Sequence, residues 1–264
     1  KNIAKAFKNR SFDPKILKFL DRLHSPKESI DTFKNARLAG FENINADLIF
    51  NIPGQSPKRW ENDLKQLISL DLEHISTYSL TVEKGTVLNS EVKKGNIVMP
   101  NEEIDIAMYE FGLDQLVSKN YYQYEISNFS KTNKECLHNL HYWQLDPYLS
   151  FGPSAHSYDQ NKRWWNIKTL DRYLKKISLN QLPISGQEDL NSNDHYNELL
   201  FNGLRLNKGV ELKKLQMAFP DKNFSFYLDQ KLNKYNQLFV ESGNLKLNNM
   251  GRLFADNISS DMFI

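Results

Sequence analysis

The chain has a single cysteine, Cys136, among its 264 residues. That count excludes an internal disulfide and suits a reducing compartment. No apolar run approaches the length of a membrane span, and the first ten residues, KNIAKAFKNR, lack the continuous apolar core of a secretory signal. The expected location is therefore the cytoplasm, with no transmembrane segment. A net charge of +2 leaves no strong electrostatic footprint for nucleic acid. Phosphate-binding loops are missing as well: Pro53-Gly54-Gln55 has neither the glycine spacing and lysine of a P-loop nor a GxGxxG pattern, and reads as a turn after a strand. What remains, 40% apolar and 12% aromatic residues, is enough to bury a substantial core in one large domain or two small ones.

The densest chemistry lies between Cys136 and Ser157, CLHNLHYWQLDPYLSFGPSAHS. His138, His141 and His156 are potential ligands for a metal or haem iron, Asn139 adds an amide, and Tyr142, Trp143, Tyr148 and Phe151 suit the wall of a flat apolar ligand. Taken one at a time these residues read as packing aromatics and hydrogen-bonded histidines. The histidine spacing matches no HExxH or paired CxxC zinc pattern. Function has to be argued from the whole string.

Strand and helix signals alternate through the first part of the chain. A turn at 11–14 leads to a helix over Lys15 to Leu23, and Ser25-Pro26-Lys27-Glu28 has capping-box spacing with proline at the first helical position, for a helix that stops at Gly40. Ile44 to Phe50 reads as a strand, Pro57 to Ser69 as a helix, His74 to Val82 as a strand, Asn101 to Lys119 as a capped helix and Tyr121 to Phe129 as a strand. This alternation predicts parallel strands with crossover helices, with Lys1 to Arg10 left as a basic, featureless start. The predicted domains are 1–165 and 166–264. In the second, helices over 170–177, 195–204, 211–219 and 224–238 surround a polar linker at 185–193. A hairpin around Ser242-Gly243-Asn244 and a last helix over 251–258 complete a winged-helix-like arrangement without a basic face.

Parallel sheets put their sites at the carboxyl ends of strands, which singles out Asp47, Thr81 and Glu125. Asp47 is flanked by Ala46, Leu48 and Ile49, where an unpaired carboxylate is expensive; either an interior cation or a ligand has to face it. His24, His74 and His195 read as structural or solvated.

Several blocks resemble one family in its own order: SFDPKILKFLDRLHSP, NADLIFNIPGQS, HISTYSLTVEKGT, YEISNF, HNLHYW with YLSFGPSAHS, and GRLFADNI. They are similar to the haem chaperone HemW and oxygen-independent coproporphyrinogen III oxidase, members of the radical S-adenosylmethionine (SAM) proteins, from about Ser11 to the C-terminus. The resemblance implies an incomplete (β/α) radical-SAM-type barrel in an α/β protein, followed by a HemN-type helical, winged-helix-like domain. It implies SAM contacts at Arg22 and Asp47, with a weaker one at Thr81, and haem contacts at His138, Asn139, Tyr142 and Trp143, with His138 as the ligand to iron. His138 heads the HNxxYW block, whereas His141 lies at a variable position of that pattern. Where the family has Gln before Ser-Phe in a SAM-contacting strand, this chain has Arg10.

A [4Fe-4S] cluster in this family needs three thiolates from a CxxxCxxC loop, which the chain does not contain. The expectation is a HemW-like haem chaperone, truncated before its cluster-binding part, that delivers haem to an acceptor haemoprotein and performs no radical chemistry alone. Coproporphyrinogen III oxidation by the complete relative and a non-enzymatic winged-helix binding module are the alternatives. A barrel without its first strands would also leave Ile44 to Phe50 with an open edge, and self-association is expected from it.

Overall fold

The computed structural model of the protein describes residues 4–220 and 223–264. Its contacts divide the chain into two compact units, 1–136 and 137–264. The sequence-based boundary at 165/166 falls inside the second of them.

The first unit starts with β1 (Ala4–Arg10), α1 (Pro14–Phe19), α2 (Pro26–Leu38) and β2 (Asn43–Phe50). It continues with α3 (Pro57–Ser69), β3 (His74–Ser79), α4 (Val87–Lys93), α5 (Glu102–Val117), β4 (Tyr122–Glu125) and β5 (Asn128–Ser130). Local chemistry places the helix starts. Asp13, Ser25 and Ser56 are N-caps followed by proline. Ser25 and Glu28 close the expected capping box, Glu28 Oε2 accepting from the Ser25 amide at 2.6 Å. After α2, Gly40 turns the chain at φ 86°, in the left-handed region that glycine enters without a Cβ penalty.

The sheet runs β1-β2-β3-β5-β4. Its first three strands are parallel; β5 is antiparallel to both β3 and β4. Three expectations change here. The segment 4–10 is a strand, paired to β2, while the first three residues lie outside the described ones. The run 121–129 is two strands folded at Ile126-Ser127, because the Ser127 amide is captured by the Glu125 carboxylate at 3.0 Å and the chain reverses. The sheet is consequently mixed, and among the described residues it does not close. Nor is β2 an edge: β1 and β3 flank it, which removes the premise for self-association through that strand.

One sheet face is apolar. Ile44 and Leu48 of β2, Ile75 of β3, and Leu64 and Leu67 of α3 are fully buried. Trp60 packs on Phe50, with ring centroids 5.2 Å apart, and its indole N–H donates to the Met108 carbonyl at 2.8 Å. A Cβ at Gly112 of α5 would stand 3.1 Å from the Trp60 ring, so the two helices approach closely there. The turn after β1 is clamped by Asp63 of α3, which accepts from the Ser11 hydroxyl at 2.6 Å and the Phe12 amide at 2.7 Å.

The second unit contains α6 (Leu137–Trp143), β6 (His156–Tyr158), β7 (Lys162–Asn166), α7 (Leu170–Ser178) and β8 (Ile184–Asp189). Antiparallel pairing in the order β6-β7-β8 makes the expected polar linker at 185–193 largely a strand, and puts Trp164 and Trp165 inside β7. Next come α8 (Ser192–Arg205), β9 (Val210–Glu211), α9 (Leu212–Ala218), α10 (Phe224–Lys234), β10 (Leu238–Glu241), β11 (Asn244–Leu247), α11 (Asn249–Leu253) and α12 (Ala255–Asp261). Their sheet order, β10-β11-β9, completes a winged-helix arrangement. Two glycines permit it. A Cβ on Gly209 would lie 2.2 Å from the Leu245 carbonyl, and one on Gly203 would lie 2.4 Å from the Val210 Cβ. Tyr196, Leu200, Leu215 and Leu245 fill its core. Among the described residues no helix is long and apolar enough to cross a membrane.

The Asp63 clamp has a measurable pH signature. Burial pushes its carboxyl up to about 6, against the hydrogen bonds that favour the charged form. A raised folded-state pKa contributes stability that is complete below the ordinary value of 3.8 and is lost as pH rises through about 6. Asp63→Ala leaves the Ser11 hydroxyl and Phe12 amide without their acceptor, at a cost of about 1–3 kcal/mol. Urea denaturation should show a larger deficit for the variant at pH 4.5 than at pH 7.5. A deficit independent of pH would mean that the carboxyl is not held in a desolvated place.

Candidate functional site

The other face of the first unit's sheet is polar, built from alternate residues of neighbouring strands. Side chains two apart on a strand share a face, and parallel register aligns them across strands: Asn45 pairs with His74 and Asp47 with Ser76. Asp47 is buried. Its Oδ2 lies 3.3 Å from Arg10 Nη1, and its Oδ1 accepts from Asn45 Nδ2 at 2.8 Å. The interior cation that the strand context called for is thus Arg10, held by a backbone turned to φ 72° and with its buried Nε unpartnered.

The network continues with a defined direction. Since Asn45 donates through Nδ2, its Oδ1 is the acceptor for His74 Nδ1 at 2.7 Å and for the Ser76 hydroxyl at 3.3 Å. His74 therefore carries its proton on Nδ1, and Nε2 accepts from the Tyr124 hydroxyl at 2.8 Å. The Tyr124 oxygen in turn accepts from the Cys136 amide at 3.3 Å. Burial holds the His74 imidazole down at about 4, so it is neutral at physiological pH. Asn45 and Tyr124 were not picked out by sequence reasoning, and His74, read there as structural or solvated, is buried and hydrogen-bonded. The period-two spacing of Asn45 and Asp47 was the available signal, but which strand neighbours them is a tertiary fact.

The other two residues assigned to SAM by resemblance do not join this network. Arg22 and Thr81 are exposed, and the one hydrogen bond of the Thr81 hydroxyl is a long one, 3.5 Å, to Glu83. Glu125, the remaining strand-end carboxylate, is buried and serves the β4–β5 turn.

In the second unit, α6 carries the HNLHYW block. His138 and Tyr142, four residues apart, share a helix face and meet edge to face with ring centroids 5.1 Å apart. Tyr142 continues to Tyr148 at 4.8 Å, and Tyr148 to Tyr158 at 6.0 Å, giving a row of one imidazole and three phenols. His138 and Tyr142 are exposed, and Leu137, Leu149 and Phe151 add exposed apolar surface. Among the described residues neither the His138 nor the Asn139 side chain has a hydrogen-bond partner.

The other two histidines are occupied differently. His141 Nδ1 lies 2.6 Å from Asp146 Oδ2, and His156 stacks on Trp165 at 5.8 Å. Among the described residues no group of three His, Cys, Asp or Glu side chains is placed to hold a metal ion, so the three histidines do not form a zinc site. Trp143 packs under the Arg205 guanidinium, 4.9 Å from its ring, and among the described residues its buried indole N–H finds no acceptor.

Comparison with known proteins agrees with both units. Residues 190–254 match the HemN C-terminal domain, which covers the winged-helix elements from α8 to α11. The haem chaperone HemW of Bacillus subtilis is 36% identical over 209 residues, 79% of this chain and 55% of that protein. HemW of Mycobacterium tuberculosis is 31% identical over 249 residues, 94% of this chain and 62% of that protein. Among solved structures, the radical SAM enzyme coproporphyrinogen III oxidase, HemN, from Escherichia coli superposes with a TM-score of 0.77 at 18% identity, over 98% of this chain and 64% of that one. The class so defined is an α/β protein of HemN-like fold with a HemN C-terminal domain. Within that class, the sequence is similar to the HemW haem chaperones and the fold to HemN. It spans about 55–62% of the length of the two HemW relatives.

The neutral, buried state of His74 generates a prediction opposite in sign to that for Asp63. A folded-state pKa lowered from 6.5 to about 4 means that the unfolded chain takes up a proton first as pH falls, so stability is lost between those values. The loss is on the order of 2 kcal/mol at pH 5. Denaturation of the wild type and His74→Gln should show the difference between them narrowing from pH 7 to pH 5. A constant difference would place the imidazole in contact with water.

Proposed function

We propose that this chain binds haem through α6, as part of a HemW-like haem-chaperone function that passes haem to an acceptor haemoprotein. The observation that carries this reading is the unequal treatment of the three histidines. His141 has given a nitrogen to Asp146 and His156 is stacked on Trp165, whereas His138 stands exposed with both nitrogens free of protein partners, beside the Tyr142–Tyr148–Tyr158 row. An imidazole next to a flat apolar wall is the pair of features that haem asks of a protein. Tyr142 and Trp143 supply apolar surface on α6, and Asn139 a side-chain amide for a polar substituent of the ligand. The HemW relatives are haem chaperones by name, which supports the choice of haem over other flat ligands.

The cofactors of the radical SAM relatives fare less well on this chain's own residues. A [4Fe-4S] cluster does not fit a chain with one cysteine, so no chemistry is derived through it. For SAM, the proposed contacts are Arg22, Asp47 and Thr81. Both Asp47 oxygens are already engaged, by Arg10 and by Asn45, and a ligand's hydroxyls would have to compete with the Arg10 guanidinium. A coproporphyrinogen III oxidase activity would rest on that cluster and that cofactor. The nucleic-acid-binding alternative is weakened by charge: Lys231 and Lys234 of α10, the helix that a winged-helix module would present to DNA, both pair with Asp261 at 2.8 and 2.6 Å.

Titrating haem into wild type, His138→Ala and His141→Ala, followed in the Soret band, tests the reading. His138→Ala should shift the band and weaken binding about tenfold or more, ~1.4 kcal/mol or above, while His141→Ala has a smaller effect. An unchanged Soret position and affinity in His138→Ala, with the circular dichroism intact, would reduce His138 to a loop residue. No binding to the wild type would remove the haem reading altogether.

A further inference from the structure

At the C-terminal end of α6 the second unit holds a cavity of about 830 Å³, within the usual range for small-molecule sites of ~300–1,000 Å³. Leu199, Leu206 and Val210 give it apolar lining, and Trp143 adds an aromatic side chain. Its charged lining is net positive, three lysines against the carboxylates of Asp146 and Glu211. Lys208 and Lys213 line it, and neither has an anionic partner within 4 Å among the described residues, whereas Lys214 is paired with Glu211 at 2.9 Å. Trp143 contributes an indole N–H that is buried and, among the described residues, finds no acceptor. Both lining carboxylates are engaged, Asp146 with His141 Nδ1 and Glu211 with Lys214. An unmet buried donor, with three lysines against two carboxylates beside an apolar lining, suits a ligand with an apolar body and anionic oxygens.

We propose that this cavity receives the carboxylate edge of a porphyrin, with Lys208 and Lys213 pairing with its carboxylates and the Trp143 N–H donating to one of them. The proposal rests on the haem reading of the same helix and adds to it how the ligand's charged edge is recognised. It does not depend on the iron, because carboxylates are present on the metal-free macrocycle too. Gly209 and Gly243, both at positive φ, form the turns that bring the loop 208–214 and the β10–β11 turn to the cavity. No bond is made or broken; the chemistry is ion pairing and one hydrogen bond.

Three ligands separate this claim from the role of His138: haem, metal-free protoporphyrin IX, and haem dimethyl ester, whose carboxylates are blocked. Binding to wild type, Lys208→Ala/Lys213→Ala and His138→Ala is followed by ligand absorbance and fluorescence, with circular dichroism to verify folding. The lysine variant should bind haem and protoporphyrin IX about tenfold more weakly, the sum of two solvent-accessible ion pairs of ~0.2–1 kcal/mol each, and should bind the ester as the wild type does. His138→Ala should weaken binding of haem more than that of protoporphyrin IX, which has no iron to ligate. Added salt should weaken acid binding to the wild type and have little effect on the lysine variant. Equal affinity of the wild type for haem and its ester, or an undiminished affinity in the folded lysine variant, overturns the carboxylate site and leaves the haem reading standing. Failure of the wild type to bind either haem or protoporphyrin IX overturns both. Trp143→Phe, which keeps an aromatic wall and removes the donor, should lower affinity for the acids and not for the ester.

Discussion

Strand β2 presents opposite chemistries on its two faces, and the first unit is organised by that division. Ile44, Leu48 and Phe50 point into the helix layer, where Trp60, Leu64 and Leu67 cover them. Asn45 and Asp47 point the other way, into a buried row of polar groups. A one-residue slip of β2 would exchange the faces, placing a carboxylate in the apolar core and leucine against His74. The register with β1 and β3 is therefore fixed from both sides, by burial on one and by hydrogen-bond direction on the other.

The polar row is a chain of one-way hydrogen bonds in which each group has its partner's complement. Arg10 balances Asp47, the Asn45 amide is oriented by Asp47, and that orientation sets the His74 tautomer and hence the role of the Tyr124 hydroxyl. Such a row is stable only when complete, since each member is desolvated. In this chain Arg10 occupies the carboxylate that would otherwise be available.

The second unit divides its work in another way. Its core is the winged-helix set closed around Tyr196, Leu200, Leu215 and Leu245, with α10's Lys231 and Lys234 both paired with Asp261. Among the described residues, those left exposed or unmet collect around α6: a His138 imidazole without a hydrogen-bond partner, a row of tyrosines and a buried indole N–H. Unmet polar groups and exposed aromatics are costly in a protein that only needs to fold, which is why binding is sought there.

Local features were legible in the sequence because they are decided within a few residues. The capping box and prolines marked helix starts, short runs bounded by turn residues marked β2 and β3, and the helix order with its Ser-Gly-Asn turn marked the wing. The HNLHYW string stood out by composition alone. Long-range pairing was not legible. Nothing within 121–129 says that Glu125 will capture the Ser127 amide and fold a strand into a hairpin, and nothing in a basic segment such as AKAFKNR says that β2 will take it as a neighbour. The same holds for sites. That Asp47 needs a cation followed from its apolar flanks, but that the cation is Arg10, 37 residues away, depends on the parallel register of β1 with β2. That one of three histidines is free while the others are held by Asp146 and Trp165 depends on where a loop and a strand return in space. Short-range capping and periodicity are properties of neighbouring residues; partner choice belongs to the packed chain, where burial makes each unmet group expensive enough to select its complement.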